Sequence, residues 1–441
     1  MTVAKKRQYR EKYRKARIHL FIYSAGNKYT LRKGRFVLFL LSQAFSGLGD
    51  TFKFIAITSL LVNITGSGLS AGLSLAFSIV PGILFSLFAG AIGDLLPAKF
   101  LLVVIELIRS IIGLLFINNR NLAHVYILIT LLSSLDAFYN PPLRKTLVNL
   151  SSEKNNQSGE KDVLPGNSLL SGTFAVTSIL GSLGAGIVVS KWSVRIALLL
   201  NCYFHLVAAV LLIFLRTAHK ECIYKRPGTH SNPSTSGTTG TSGTTGILEG
   251  YRYIDKIVPI KKTILANAIL GFGVISVNMA FYPFAFDNLK VTEKGWGLMM
   301  SIFYSSNLIS MAISLWLNKK ISCIKRKRVI YDAIIYISLI TISCIWFVYS
   351  RTYSLPLILI VQLLEGALIS LCAILLMSKL QSVTEEGILG RVTGINDFIT
   401  SISKIAGIFL AYNIIKRRSP IYVFLFNSTC FLIFALYNLV L

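Results

Sequence analysis

Apolar residues run in long, nearly unbroken stretches in this chain. They do not alternate as in half-buried strands, nor form the one-sided stripes of soluble helices. From residue 36 onward, stretches of about twenty residues follow one another, each closed by a short polar or charged turn. Twelve are read, at roughly 36–63, 68–92, 99–117, 122–140, 167–190, 195–215, 262–284, 295–317, 328–349, 354–378, 391–414 and 419–440. Each is long enough to cross a bilayer as a helix. Inside lipid a backbone must bond to itself, and the helix is the form that does so within one segment. The pattern therefore predicts an all-α polytopic membrane protein with twelve transmembrane helices.

The interruptions divide the chain. Residues 1–35 hold twelve Lys and Arg against the single acid Glu11, and read as a basic cytoplasmic tail able to lie on anionic lipid. Residues 36–216 carry six spans and 261–441 six more. Residues 217–260 join them, and include Thr235 to Gly240 repeated without change at Thr241 to Gly246, a flexible Thr/Ser/Gly tether. Ile247 to Lys256 is expected to form a short surface helix before the seventh span. The turns after spans two and eight match weakly: Gly90 to Asp94 with Lys99 beyond, and Asn318 to Lys320 with Lys325 to Arg328 beyond. Six spans, a tether and six spans suggest two related halves that rock about a central site. Pro141-Pro142 is expected to end the fourth helix.

Composition agrees. The chain of 441 residues is 54% hydrophobic and 14% charged, with a mean hydropathy of +0.65, which excludes a soluble domain of this length. The net charge of +27 does not indicate nucleic acid. Most Lys and Arg fall in the tail and in the loops on its side of the membrane, which places both termini in the cytoplasm; Lys416-Arg417-Arg418 is the dissonant loop. Trp192, Trp296, Trp316 and Trp346 lie near span ends and are expected to be interface anchors. The six cysteines form no C-x-x-C pair, so neither a metal site nor a disulfide framework is expected. The basic start and long first span do not read as a cleavable signal. No nucleotide-binding or hydrolase motif is present, so the chain is not expected to be an enzyme or to need a cofactor. Active transport would then draw on an ion gradient.

Charges inside the spans are the candidate chemistry. Each costs about 2.5–3.5 kcal/mol at the bilayer centre on insertion scales, so it is paired, wetted or used. The first span carries Asp50 and Lys53, one turn apart, behind Gly47 and Gly49, whose missing side chains admit a neighbouring helix. Asp50 is read as the titratable centre of a water-filled path; the alternative is a structural ion pair with Lys53. Glu365, alone in span ten, is the second proton-coupling candidate, and Asp397 the third, with Lys404 seven residues on. Lys53 and Lys404 are read as charge partners of these acids. Glu106 and Arg109 form an i,i+3 pair that is either structural or part of an inner gate. Asp136 reads as a helix-end acid, with Arg144 eight residues on as a partner, or as a proton carrier. His205 reads as a structural histidine or a relay. Gln43, Phe45, Phe52, Asn201, Tyr282, Tyr304, Asn307 and Gln362 are candidates to line an amphipathic substrate cavity, although each alone is as readily a packing residue.

Several of these segments resemble the major facilitator superfamily, above all its bacterial macrolide and multidrug efflux permeases and the enterobactin exporter. The resemblance rests on Gly49-Asp50 with Thr65-Gly66-Ser67, and on Pro81 with Gly90-x-x-Gly93-Asp94. It rests also on Ala137 to Pro142 with Leu164 to Leu169, and on Gln381 with Gly390-Arg391-Val392. It implies two pseudo-symmetric six-helix bundles and an inner gate built on Asp94, Glu106, Arg109 and Arg391. Two departures stand out. Leu95 to Ala98 replace the bases that usually follow the loop-motif Asp, and Gly181 to Gly186 keeps the small residues of the antiporter motif without its proline. The implied function is proton-coupled export of an amphipathic, drug-like small molecule by alternating access. The transporter would be a monomer in a bacterial cytoplasmic membrane. The alternatives are a siderophore or lysolipid permease of the same fold, an uptake symporter, or a non-transporting immunity or sensor protein.

Overall fold

The computed structural model describes residues 3–119, 121–151, 153–154, 161–162, 164–215, 251–321 and 327–440. Twelve long α-helices follow in chain order among them. The first six are α1 (Val3–Thr65), α2 (Gly68–Leu95), α3 (Ala98–Leu115), α4 (Leu122–Ser151), α5 (Leu164–Lys191) and α6 (Val194–Phe214). The second six are α7 (Val258–Pro283), α8 (Glu293–Ile321), α9 (Lys327–Tyr349), α10 (Leu355–Val383), α11 (Glu386–Arg417) and α12 (Ile421–Val440). Eleven are apolar enough to span a membrane; in α1 that part is Gly34–Thr65. The twelfth, α3, packs Lys99, Glu106 and Arg109 into 18 residues. A π-helical turn, Phe284–Asn288, extends α7, and a two-residue antiparallel ladder pairs Glu153–Lys154 with Lys161–Asp162. Residues 251–256 are helical, within the stretch expected to form a surface helix.

The packing repeats with a shift of six. In the first half α1 lies on α5 and α6, α2 on α4, and α3 on α4 and α6. In the second half α7 lies on α11 and α12, α8 on α10, and α9 on α10 and α12. Between the halves, α5 meets α8 and α2 meets α11, the two pairs that a twofold relation between halves interchanges, and α2 also meets α7. The result is two pseudo-symmetric six-helix bundles.

Helix direction alternates, so both chain ends lie at one face, the terminal face. At the opposite, far face the halves touch backbone to backbone. A Cβ on Gly68 would lie 2.5 Å from the Tyr282 carbonyl oxygen, and one on Gly72 2.8 Å from that of Met279. On the other side of the bundle, a Cβ on Gly297 would lie 2.4 Å from the Ser182 oxygen. Ser301 donates to the Ile179 carbonyl at 2.6 Å. The far face also carries the α1–α2 turn, where Gly66 adopts φ +70°, a left-handed conformation that glycine takes without strain.

Three local expectations are corrected. α4 does not stop at Pro141-Pro142 but runs on to Ser151. The prolines remove the N–H groups that would bond the Ala137 and Phe138 carbonyls, and Ala137 borders an open cavity that can solvate such groups. Trp346 is not an interface anchor: it is fully buried between Phe431 and Glu365. Trp296 is also buried, against Phe281, Tyr282 and Phe286. Trp192 and Trp316 are exposed on the outer surface, as anchors are.

A charged cluster at mid-helix

Asp50 lies halfway along the spanning part of α1, sixteen residues from Gly34, or about 24 Å of helix. The glycines before it do what their position predicts. A Cβ on Gly47 would strike Thr177 of α5 at 2.6 Å, and one on Gly49 would strike His205 of α6 at 2.9 Å. α1 is thereby seated against both helices at this level, and Asn201 of α6 donates to the Gly49 carbonyl at 2.9 Å.

This seating brings five titratable groups from α3, α4 and α6 to Asp50 and Lys53. Lys53 Nζ sits 2.5 Å from Asp50 Oδ1. Arg109 of α3 approaches the other carboxylate oxygen of Asp50 at 4.0 Å and Glu106 at 3.4 Å, and its second terminal nitrogen bonds Asp136 of α4. Its guanidinium lies over the Tyr139 ring, 4.2 Å from the centroid. Tyr139 exchanges hydrogen bonds with Gln43. His205 Nδ1 is 2.7 Å from Glu106 Oε2, and the Ser46 hydroxyl donates to Glu106 Oε1 at 2.8 Å.

The cluster has a dry side and an open side. Glu106 and His205 are fully buried and Arg109 nearly so. Asp50 and Asp136 keep 40% and 47% of their side chains exposed. Asp136 also lines a cavity of about 530 Å³ with Ser78, Gly82, Ser133, Asn140 and Arg144. The carboxylates thus face open space from deep within a helix bundle, and the pairs behind them are desolvated. Three acids face two permanent cations, so with neutral His205 the cluster carries one unbalanced negative charge.

The other expected residues distribute as follows. Glu106 and Arg109 turn to Asp50, His205 and Asp136, joining the central cluster. The side chain of Asp94 falls outside the described residues, and Arg391 is half-buried near the start of α11. Lys99 bonds the Ile213 carbonyl at the end of α6, a cation at a helix C-terminus. Asp136 pairs with Arg109 of a neighbouring helix; Arg144 faces the same cavity. Glu365 is buried, and both its oxygens are taken by α9: Trp346 Nε1 donates at 2.6 Å and Tyr349 at 2.7 Å. Asp397 is exposed and accepts from Asn396, which in turn accepts from Asn267 of α7. Lys404 packs against Gly271 of α7, and no ion pair joins it to Asp397 among the described residues.

Of the residues expected to line a cavity, Phe45, Tyr304 and Asn307 keep part of their surface open. Gln43, Phe52, Asn201, Tyr282 and Gln362 are buried. The reason differs at each: Gln43 is saturated by Tyr139, Phe52 packs on Phe204, Asn201 holds Gly49, and Tyr282 packs on Trp296. Gln362 is enclosed with its Oε1 unpaired.

No curated protein matches the sequence. Solved transporter structures match the fold. The nucleoside transporter NupG aligns with a TM-score of 0.69 at 12% identity, over 92% of this chain and 98% of its own. A bacterial homologue of the iron transporter ferroportin, in an inward-facing state, aligns at 0.64 and 15%, over 91% and 98%. A bacterial homologue of the human lysosomal transporter Spinster, inward-facing and unoccupied, aligns at 0.59 and 10%, over 93% and 95%. The family match itself covers residues 39–408, from the start of the first span into the eleventh helix, and the chain belongs to the Major Facilitator Superfamily.

Proposed function

We propose that the chain is a proton-coupled exporter of an amphipathic, drug-like small molecule, working by alternating access, with Asp50 as the coupling acid. The observation that carries this reading is the charge imbalance of the mid-helix cluster. Three carboxylates face two fixed cations in a site whose inner side is desolvated, and one proton restores neutrality. Asp50 is 40% exposed and is the acid that stands next to Lys53, Arg109 and His205 together, so in this reading it takes and gives the proton. Protonation changes the cost of burying the cluster and so biases one cavity state over the other.

The halves 36–216 and 261–441 are the moving bodies, joined by the tether, with the tail 1–35 on anionic lipid. The far face, closed by glycine contacts, is the outer face, and both termini are cytoplasmic. The membrane is a bacterial cytoplasmic membrane and the working unit a monomer. Substrate would meet Phe45, Tyr304 and Asn307 between the halves. Asp94 and Arg391 remain the inner-gate candidates. Glu365, saturated by two α9 donors, ties α9 to α10 and is assigned no coupling role; Asp397 and Lys404 sit apart from the cluster. The test is accumulation of macrolides, lincosamides, dyes or catecholate siderophores in acid-loaded inside-out vesicles. Accumulation that collapses with an uncoupler supports the reading. A folded protein that accumulates none of them under any gradient overturns it.

A further inference from the structure

The proton has a second place to go. His205 is fully buried, and its two ring nitrogens differ in their surroundings. Nδ1 lies 2.7 Å from Glu106 Oε2, so it carries the hydrogen of that bond when Glu106 is ionised. Nε2 has no hydrogen-bond partner. It lies 3.8 Å from Asp50 Oδ1, over the bare backbone of Gly49. A buried ring nitrogen left unpaired is costly, while the same nitrogen with a hydrogen aimed at a carboxylate is paired.

We propose that the coupled proton is stored on His205 Nε2, between Glu106 and Asp50, so that Asp50 is the port and the Glu106–His205 pair the reservoir. This rests on the proton-coupled reading. The transfer balances: the Asp50 O–H bond breaks, an N–H bond forms at Nε2, Asp50 becomes a carboxylate and the imidazole an imidazolium. Closing the 3.8 Å gap by about 1 Å completes the hydrogen bond.

The surroundings favour that endpoint. α1 presents Asp50 to the histidine, with Lys53 paired to it, and α3 presents Glu106, with Arg109 beside it. α4 contributes Asp136 and Tyr139 through Arg109. α5 has no titratable residue between Leu164 and Ser190. With His205 charged, three cations face three anions. Asp50 keeps 40% of its side chain exposed and the imidazole none, so a stored proton would leave by way of Asp50.

The protein has five histidines, and replacing His19, His124, His219 and His230 by Gln leaves His205 as the single imidazole. In this variant, ¹⁵N-histidine NMR in nanodiscs is followed between about pH 5 and pH 9, the range in which imidazole changes charge. The proposal expects Nδ1 to stay protonated while Nε2 gains and loses a proton, and expects the titration midpoint to shift when Asp50→Asn is added. An Nε2 fixed in one state, or a midpoint indifferent to Asp50→Asn, overturns it. Gradient-driven transport by the same variant is measured in parallel. Proton-driven transport with a silent imidazole defeats the reservoir alone. Transport indifferent to the gradient defeats the coupled reading, and the reservoir with it.

Discussion

Arg109 of α3 is bonded to Asp136 of α4, while its other terminal nitrogen faces Glu106 and Asp50. One guanidinium therefore joins three helices at the level where α1 carries its charges. Its planar fork holds carboxylates on two separate nitrogens in a fixed geometry, which a lysine ammonium does not reproduce. Arg109→Met removes the cation and leaves three acids against Lys53. Breaking a buried pair in this way costs about 3–5 kcal/mol, and thermal unfolding of the purified protein should fall accordingly. Arg109→Lys, which keeps the charge and loses the fork, should lie between the two.

The twelve helices were legible because lipid demands long apolar segments, and eleven of them are apolar enough by composition alone. Asp50 and Lys53 were legible because charge is conspicuous in such a segment. The cluster was not. Glu106 and Arg109 looked like a local pair or a gate, Asp136 like a helix end, and His205 like a lone core histidine. Nothing in spacing along α3, α4 and α6 says that these residues meet, because the meeting depends on how those helices are rotated against α1. The glycines gave the one usable hint: Gly47 and Gly49 mark where α5 and α6 come close, and His205 is what Gly49 touches. Glu365 shows the converse, an acid that is conspicuous in sequence yet held entirely by Trp346 and Tyr349.

Asp287, in the π-helical turn after α7, accepts from Ser67 at 2.9 Å and from the Gly68 backbone N–H at 2.7 Å. One half of the protein thus caps a helix of the other. Losing an acidic cap costs about 0.5–2 kcal/mol. Asp287→Ala should shift the population toward opening at the far face by roughly tenfold per 1.4 kcal/mol lost. Spin-label distances between the α1–α2 turn and the α7–α8 turn would show a longer component growing in. Ser67→Ala, which removes one of the two bonds, should shift it less.

Gly297 and Gly186 meet where α5 crosses α8. The Cβ of any residue replacing Gly297 would lie 2.4 Å from the Ser182 oxygen, and backbone cannot yield as a side chain can. Gly297→Val should therefore prevent closure at the far face. Transport should be lost while the helical content seen by circular dichroism is retained.

Glu365→Gln keeps an acceptor for one of the two α9 donors and should leave gradient-driven transport near the wild-type rate. Glu365→Leu leaves Trp346 Nε1 and the Tyr349 hydroxyl buried without their acceptor, at about 1–3 kcal/mol for each group stranded. Its melting temperature should drop. Loss of coupling in Glu365→Gln at normal stability would move this acid into the proton path.

Asp50→Asn is the decisive variant, because it leaves two carboxylates against two fixed cations. Glu106 and Asp136 then face Lys53 and Arg109, and the cluster is neutral without a proton. Substrate accumulation in acid-loaded inside-out vesicles should disappear, while counterflow of labelled against unlabelled substrate continues, since the halves can still rock. Full gradient-driven accumulation by the folded Asp50→Asn protein would rule out Asp50 as the coupling acid.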